Sequence, residues 1–394
     1  MTMHKILIIE DDPVGANIYR NKLAVEGFTV AVVHTGEEGL IHITKDTPDL
    51  FILDLSLPKM NGIEVIQKIR SNAATEKTPI IVFSNTYLTK LIQDAWKAGA
   101  TKCLSKTNCS PKEVLESVRG ALGYKVEGAH KGATVFTPRA KIAQATKEAE
   151  EQTSFRTNLN AIFPKTITEL RSSVQDLSKS ATDADRTKHA TRLFRAANSL
   201  TSHAGIAGLN IVIQLSEAVE AFATELHQKP ESFNASASRT LASAIDLLPA
   251  LYEYANRNHF QTTSDSSILV VDDEPIARRA VNTALERAKL KSVDVDDANA
   301  ALKLLSENSY DLVFLDVDMP NINGHELCSK LRAMPHHKTT PVVFVTSNTD
   351  LKNRASSMIS GGNDFIGKPF HFLELAVKSL VYVLRAKIQP QKTA

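Results

Sequence analysis

Acidic, hydroxyl and lysine side chains follow the short apolar runs of this 394-residue sequence, in the same order near its start and near its end. The first set is Glu10, Asp11, Asp54, Ser84 and Lys106, and the second is Asp272, Asp273, Asp316, Thr346 and Lys368. Three clustered acids repel one another unless a cation lies among them, and all-oxygen ligation suits Mg²⁺. A bound metal ion and a fixed lysine stabilise a transferring phosphoryl group, which a carboxylate can accept as an aspartyl-phosphate.

The two sets belong to two copies of one domain. A constant offset of 262 positions relates them, so that the alignment runs without a gap from Glu10 to Lys106. The offset pairs Glu10 with Asp272, Asp54 with Asp316, Gly62 with Gly324, Pro79 with Pro341 and Lys106 with Lys368. Chance similarity would not keep one register across five separated blocks, so the chain carries the same domain at both ends.

Strands that alternate with helices must position these residues. The apolar runs of the first copy are rich in Ile, Val and Phe, which is typical of strands buried on both faces. These runs are residues 6–9, 30–33, 50–53, 80–83 and 103–104. The alternation predicts an α/β fold with a doubly wound, parallel sheet of five strands in each copy. In such a sheet the ligand site lies beyond the carboxyl ends of the strands.

Composition excludes several classes of protein. Hydrophobic residues make up 43% and charged residues 23% of the chain, which is ordinary for soluble globular domains. The formal net charge of +2 leaves no electrostatic signature of nucleic-acid or anionic-membrane binding, and no apolar run reaches the length of a membrane span. The three cysteines show no metal-site or disulfide spacing. We therefore expect a cytoplasmic protein that binds neither nucleic acid nor membrane.

Both copies resemble the receiver domains of two-component response regulators, which have a flavodoxin-like fold. The resemblance covers about residues 4–122 and 266–388. In the first copy it rests on the strings IIEDDP, ILDLSLPKMNG, IIVFSN and LSK. In the second copy it rests on VVDDEP, FLDVDMPNING, VVFVTS and GKPF.

The resemblance implies a role for each pair of equivalent residues. Asp54 and Asp316 would accept the phosphoryl group and also ligate the metal ion. Mg²⁺ would be ligated directly by Asp11 and Asp273, through water by Glu10 and Asp272, and through the backbone carbonyls by Ser56 and Asp318. The phosphoryl oxygens would be contacted by Ser84, Thr346, Lys106 and Lys368. Mg²⁺ is the implied cofactor, and a histidine kinase or a histidine phosphotransfer (HPt) protein is the implied phosphodonor.

The two copies differ at positions that the family uses for switching. The family usually holds the peptide bond at Lys368-Pro369 cis, whereas a cis bond at Lys106-Thr107 would cost ~3–4 kcal/mol. Phe365 occupies the position of the family's aromatic switch residue, and Cys103 occupies it in the first copy. We therefore expect the first copy to bind metal but to couple phosphorylation weakly to its surface.

The middle of the chain reads as helical. Over residues 141–260, apolar residues recur at helical spacing, which predicts an all-α bundle of four or five helices. Pro164 is expected in the first turn of a restarted helix. The predicted domains and connections are residues 1–124, a linker at 125–140, the bundle at 141–260, a linker at 261–267, residues 268–388 and a tail at 389–394.

The segment RAANSLTSHAG, residues 195–205, resembles the signature of HPt domains. Asn198 stands at the position of the phospho-accepting histidine, and an amide nitrogen is no nucleophile at neutral pH. The resemblance therefore implies an HPt-like bundle that has lost its chemistry. His203 projects ~140° away from Asn198 around the helix, so we expect it to be an ordinary surface or capping histidine.

The sequence thus favours a response regulator that signals through contacts with a downstream protein and has no enzymatic activity beyond its own phosphorylation and dephosphorylation. A homodimer is compatible with the sequence. The alternatives are an unphosphorylated scaffold and a relay that uses His203. A phosphatase of the haloacid-dehalogenase type is disfavoured, because the acid pair of Asp316 and Asp318 is replaced by Asp54 and Ser56 in the first copy.

Overall fold

The computed structural model of the protein describes residues 4–84, 89–106, 109, 111–124, 138–257, 266–347 and 359–388, without the side chains of residues 89–90, 111 and 138–158. Thr107, the tail at 389–394 and most of the two predicted linkers lie outside the described residues. The chain divides into two compact units. The N-terminal unit comprises residues 1–164 and 198–209, and the C-terminal unit comprises residues 165–197 and 210–394.

The N-terminal unit contains a parallel sheet of five strands in the order β2-β1-β3-β4-β5. Its strands are β1 (Lys5–Ile9), β2 (Thr29–Val33), β3 (Leu50–Leu53), β4 (Ile80–Ser84) and β5 (Lys102–Ser105). Its helices are α1 (Pro13–Val25), α2 (Gly36–Lys45), α3 (Gly62–Arg70), α4 (Thr89–Ala98) and α5 (Pro111–Ala121). Apolar clusters cover both faces of this sheet, as the continuous apolar strands predict.

The C-terminal unit contains a second parallel sheet with the same topology, β7-β6-β8-β9-β10. Its strands are β6 (Ser267–Val271), β7 (Lys291–Val295), β8 (Leu312–Asp316), β9 (Val342–Thr346) and β10 (Asp364–Gly367). Its helices include α10 (Pro275–Arg287), α11 (Ala298–Glu307), α12 (Gly324–Ala333) and α13 (Phe372–Ile388), with a short 3₁₀ helix at Pro335–His337. The predicted fold class of two doubly wound α/β domains and a central helical region is confirmed.

The central helical region consists of α6 (Pro138–Lys179), α7 (Asp183–Ile206), α8 (Asn210–Gln228) and α9 (Ala235–Arg257), with a 3₁₀ helix at Pro230–Ser232. The prediction that a helix restarts at Pro164 is wrong, because α6 continues through this residue. Phe163 and Ile167 on either side of it are buried, and their packing offsets the backbone hydrogen bond that proline cannot make. Among the described helices, none combines the length and the apolar character that a membrane span needs.

Helix α13 is buried on all of its faces over residues 374–381. It packs against α10 of its own sheet domain and against α8 and α9 of the central region. The Glu374 carboxylate accepts hydrogen bonds from the hydroxyls of Ser236 and Thr240 on α9. A helix that is enclosed on every side belongs to a shared core, so the second sheet domain and α8–α9 form one packed structure.

Gly62 and Gly324 begin the helices that follow the acid-bearing strands. A Cβ atom on Gly62 would lie 2.5 Å from the backbone oxygen of Asp54, and one on Gly324 would lie 2.1 Å from that of Asp316. The Gly62 N–H donates to the carbonyl of Leu55 at 3.0 Å. These close approaches require glycine, and they hold the chain tightly where each acid leaves its strand.

We expect Gly62→Ala to destabilise the N-terminal unit by ~1–3 kcal/mol, because the added methyl group forces the backbone around Asp54 to move. The measurement is urea unfolding followed by the fluorescence of Trp96, the single tryptophan of the sequence, which lies in α4. Gly120→Ala is the matched control, since a Cβ atom at this position on α5 meets no heavy atom within 4 Å. Equal unfolding midpoints for the two variants would contradict the expectation.

Candidate functional site

The strand ends bring the predicted residues of each set to one edge of their sheet. Backbone hydrogen bonds continue the sheet past the strand ends and hold these residues in place. Glu10 N–H donates to Val33 at 3.0 Å, Asp54 N–H to Ile9 at 3.0 Å and Lys106 N–H to Ser84 at 3.3 Å. In the second sheet, Asp272 N–H donates to Val295 at 3.2 Å and Lys368 N–H to Thr346 at 2.7 Å. The site residues are therefore placed by the sheet itself.

Each edge carries a cluster of three acids. Carboxylate oxygens of Glu10, Asp11 and Asp54 lie within 4.8 Å of one another, and so do those of Asp272, Asp273 and Asp316. Glu10, Asp54, Asp272 and Asp316 are buried, Asp11 is half-buried and Asp273 is exposed. The sequence prediction that these acids converge is correct for both copies.

One lysine bridges two of the acids in each cluster. Lys106 Nζ lies 2.5 Å from Glu10 Oε2 and 2.7 Å from Asp54 Oδ2. Lys368 Nζ lies 2.8 Å from Asp272 Oδ2 and 3.2 Å from Asp316 Oδ1. Lys106 is 4% exposed, so its ammonium group depends on these carboxylates for the interactions that water would otherwise provide. Each lysine is placed beside the predicted phosphoacceptor.

The lysine does not balance all of the negative charge. Burial raises the pKa of Glu10 to about 8, the ammonium of Lys106 opposes this shift, and the charge of Asp54 adds to it. Burial disfavours the ammonium form of Lys106, but the charges of Asp54 and Glu10 outweigh burial and raise its pKa. In the second cluster, burial raises the pKa of Asp316 against the opposing charge of Lys368. Without a further cation, burial and the charge of Asp54 thus disfavour the ionised form of Glu10.

The donor set of each cluster fits Mg²⁺. Its ligands are all oxygens, they are close together, and their charge exceeds that of the neighbouring lysine. The Ser56 N–H donates to Asp54 Oδ1 at 3.0 Å, which places Ser56 at the first cluster, whereas Asp318 is exposed two residues after Asp316. Ligation through the carbonyls of Ser56 and Asp318 stays a prediction.

The hydroxyl residues also lie where the sequence predicts them. Ser84 and Thr346 are buried at the ends of β4 and β9. These strands are the direct neighbours of the strands that lead to Asp54 and Asp316. Contact of these hydroxyls with a phosphoryl group stays a prediction.

At the switch positions, the structure tests the expectation for the second copy. The Lys368-Pro369 peptide bond is cis. Phe365 is half-buried, and the Arg239 guanidinium of α9 lies 5.9 Å from its ring centroid. Cys103 is also half-buried, packs against the core of the first sheet, and has a thiol whose pKa burial raises to about 11. Where the second copy has the aromatic ring of Phe365, which contacts Arg239, the first copy has the small side chain of Cys103.

The two residues singled out on α7 are both buried. Asn198 is 4% exposed, and its carbonyl accepts a hydrogen bond from the Ser202 hydroxyl at 2.9 Å. The expectation that His203 lies at the surface is wrong, because its side chain is 5% exposed and faces Asp12 at the start of α1, with 3.6 Å between Nε2 and Oδ2. The ~140° rotation places His203 on another face of α7, and this face is also buried.

Asp12 borders the acid cluster, and the sequence does not predict its contacts. It follows the acid pair Glu10-Asp11, and its Oδ1 caps α1 by accepting a hydrogen bond from the Val14 N–H at 3.0 Å. Its own N–H donates to Glu10 Oε1 at 3.4 Å. The only signal in the sequence is a third consecutive acidic residue, which resembles an ordinary helix cap.

Comparison with known families assigns the two sheet domains. The family of the response regulator receiver domain matches residues 6–119 and 268–379, which together exceed half of the chain. The chain belongs to this family. The predicted pair of receiver domains is confirmed, and we call them receiver 1 and receiver 2.

Three similar proteins each match about a third of this chain. The response regulator ArlR of Staphylococcus saprophyticus is 34% identical over 128 residues, which cover 32% of this chain and 55% of ArlR. The transcriptional regulatory protein SrrA of Staphylococcus aureus is 36% identical over 118 residues, which cover 29% of this chain and 48% of SrrA. The matches thus span about half the length of these relatives. The solved structure of the Vibrio cholerae chemotaxis protein CheY4 is 26% identical, covers 30% of this chain and 97% of CheY4, and has a TM-score of 0.28.

We expect the stability of metal-free receiver 1 to fall as the pH rises from about 6 to 8. The folded state keeps a proton on Glu10, whose pKa is raised to about 8, whereas the unfolded state releases it near its ordinary pKa. Since the folded state binds more protons in this window, stability is lost with rising pH, by roughly 2 kcal/mol.

The measurement is urea unfolding in a metal chelator, followed by Trp96 fluorescence at the two pH values. Glu10→Gln removes the titrating group and should flatten this pH dependence. Glu76→Gln, at an exposed position, is the matched control and should behave as the wild type does. The expectation fails if Glu10→Gln leaves the slope unchanged.

Proposed function

We propose that the protein is a phosphorelay response regulator in which Asp54 and Asp316 accept phosphoryl groups from a histidine kinase or an HPt donor. The observation that supports this most directly is the lysine ammonium that bridges the acceptor aspartate and a neighbouring acid in both receivers. A structural ion pair would need one carboxylate, whereas each site has three. The excess charge suits a site that binds a cation and then a phosphoryl group.

In the proposed reaction, an oxygen of Asp54 or Asp316 attacks the phosphorus atom of the donor, and the bond from phosphorus to the donor nitrogen breaks. Mg²⁺, when bound, supplies positive charge to the phosphoryl oxygens. In receiver 1 the acids Glu10, Asp11 and Asp54 would hold it, together with the Ser56 carbonyl. Asp272, Asp273, Asp316 and the Asp318 carbonyl would do so in receiver 2.

The protein's own residues would prepare this step before the donor arrives. The Ser56 N–H and the Lys106 ammonium each hold one oxygen of Asp54, at 3.0 and 2.7 Å, and thereby fix the orientation of the carboxylate. When phosphorylation places new negative charge on Asp54, Lys106 can remain with the phosphoryl oxygens. Fixed charges of this kind stabilise the transition state without reorganisation.

The output would be a change in protein–protein contacts. In the C-terminal unit, receiver 2 already contacts α8 and α9 through α13 and through the pair of Phe365 and Arg239. We infer that these helices are a target of receiver 2 within the same chain. A separate downstream protein partner and a cytoplasmic location remain part of the proposal, and so does the absence of enzymatic activity beyond self-catalysed phosphotransfer and autodephosphorylation.

The central region would be an HPt-like bundle without the usual phospho-accepting histidine. Side-chain contacts join α6 to α7 and α9, between Asp176 and Arg192 at 2.9 Å and between Ser178 and Ser238 at 2.9 Å. The buried amide of Asn198 offers no nucleophile in the usual position. These observations support a helical bundle in which that position is inactive.

With Mg²⁺ and acetyl phosphate, we expect base-labile acyl phosphate on both Asp54 and Asp316. Asp54→Asn and Asp316→Asn should each retain label on the other receiver, and the double variant should lose it completely. Asp46→Asn, which changes an exposed aspartate paired with Lys5, is the matched control and should keep full labelling. Acyl phosphate that persists in the double variant would rule out these two residues as the acceptors.

We expect Arg239→Ala to raise hydrogen exchange in the first turns of α9 by ~2–5-fold, because it removes a contact of ~0.5–1 kcal/mol with Phe365. It should also reduce any change in this exchange on phosphorylation of Asp316. Arg257→Ala, at an exposed position of the same helix, is the control. If both variants respond to phosphorylation equally, Arg239 does not transmit the signal.

A further inference from the structure

The last turns of α7, residues 198–206, pack on receiver 1 and belong with it to the N-terminal unit. We call this segment the α7 end. Ile206 lies against the apolar cluster that includes Tyr19 of α1. One turn earlier, His203 is 5% exposed at its side chain, and its Nε2 lies 3.6 Å from Asp12 Oδ2. Two contacts, one apolar and one at the start of α1, therefore hold the α7 end on receiver 1.

Asp12 joins this contact to the acid cluster. Its N–H donates to Glu10 Oε1 at 3.4 Å, and the other carboxylate oxygen of Glu10 pairs with Lys106, which also pairs with Asp54. The Asp12 side chain is 10% exposed. Among the described atoms, neither Asp12 Oδ2 nor His203 Nε2 makes a hydrogen bond, although both are buried. The α7 end can therefore leave the border of the cluster without breaking a hydrogen bond between these two side chains.

Receiver 2 exposes the same surface. The offset of 262 positions makes Glu274 the counterpart of Asp12, and Glu274 is exposed whereas Asp12 is half-buried. Ile276 is the counterpart of Val14 in the first turn of the helix, and it is 79% exposed whereas Val14 is half-buried. The two receivers have the same fold, so the difference lies in what packs on this surface. In receiver 1 the α7 end packs there.

A phosphodonor must cross this border to reach the acceptor aspartate. Helices and their apolar clusters cover both faces of the first sheet, so Asp54, which is 1% exposed, can be approached only from the carboxyl ends of the strands. The start of α1 forms one side of that opening. The lysine beside the acceptor is 4% exposed at its side chain in receiver 1 and 13% exposed in receiver 2. The opening is thus more closed in the receiver that carries the α7 end.

From this asymmetry we infer that the α7 end is an autoinhibitory cover of receiver 1. While it lies on α1, it restricts the access of phosphodonors to Asp54 and of water to the acyl phosphate, and its departure opens the site. Receiver 2 accepts phosphoryl groups without this opening step, because its equivalent surface is already exposed. The position of the α7 end therefore decides whether receiver 1 responds. This inference rests on the proposed phosphorylation of Asp54 and Asp316.

The test follows labelling by radioactive acetyl phosphate with Mg²⁺ in the full-length Asp316→Asn variant, which leaves Asp54 as the acceptor. Adding Ile206→Asp places a charge in the apolar contact and should release the α7 end. We expect the labelling rate to rise by about tenfold, since only the fraction of molecules with an open site reacts. Hydrogen exchange of the α7 end should rise with it, and the acyl phosphate should hydrolyse faster.

Two further variants keep the test sharp. His203→Ala removes the side chain that faces Asp12 without entering the apolar cluster of receiver 1, and it should act in the same direction if Ile206→Asp fails to fold. Urea unfolding followed by Trp96 fluorescence reports whether receiver 1 is folded in each variant. Lys188→Asp, at an exposed position of α7, is the matched control and should change neither rate.

A released α7 end with an unchanged labelling rate would overturn the inference and leave the proposed function intact. Unchanged hydrogen exchange in both Ile206→Asp and His203→Ala would also overturn it, because these contacts would then not hold the α7 end in place. In the Asp54→Asn background, Ile206→Asp should leave the labelling of Asp316 unaltered, and an equal rise there would refute a cover specific to receiver 1. The absence of label on Asp54 in every variant, the released ones included, would contradict the proposed function itself.

Discussion

Each receiver concentrates more negative charge at the edge of its sheet than one lysine can balance. In receiver 1 the imbalance is visible in the carboxyl group of Glu10, whose pKa is raised by burial and by the charge of Asp54 although an ammonium group lies 2.5 Å away. Burying like charges in such a site costs free energy, and a cation that enters the site lowers this cost. The parallel strands, the glycines behind the acids and the buried lysine all serve to hold these like charges together.

Both receivers hold this excess of negative charge, but they differ in the burial of the charged residues and in the helices that they contact. Lys106 is almost completely buried, and Asp11 beside it is half-buried, whereas Lys368 is 13% exposed at its side chain and Asp273 is exposed. Receiver 1 contacts the end of α7 at its rim through Asp12, and receiver 2 contacts α9 through Phe365. The two receivers thus contact different parts of the central helices, so equal chemistry at the aspartates need not have equal consequences.

Much of this arrangement is predictable from the sequence, because a parallel sheet brings the ends of its strands together whatever lies elsewhere. The positions of Glu10, Asp54 and Lys106 follow from that rule and from the internal repeat. The helix across Pro164 and the burial of His203 do not follow from it. Periodicity identifies the faces of a helix but not the surface that covers each face. For α7, the covering surface at His203 is the start of α1, more than 180 residues earlier in the chain.

The enclosure of α13 affects how the chain can be divided. Polar side chains on this helix, such as Glu374 and Lys378, are buried together with its apolar ones. Excision of receiver 2 at its sequence boundary would therefore expose an apolar surface of α13. It would also remove the hydrogen bonds that the Glu374 carboxylate accepts from α9. Receiver 2 is thus poorly suited to exchange between proteins as an independent module. It would have to be inherited together with α8 and α9 as one unit.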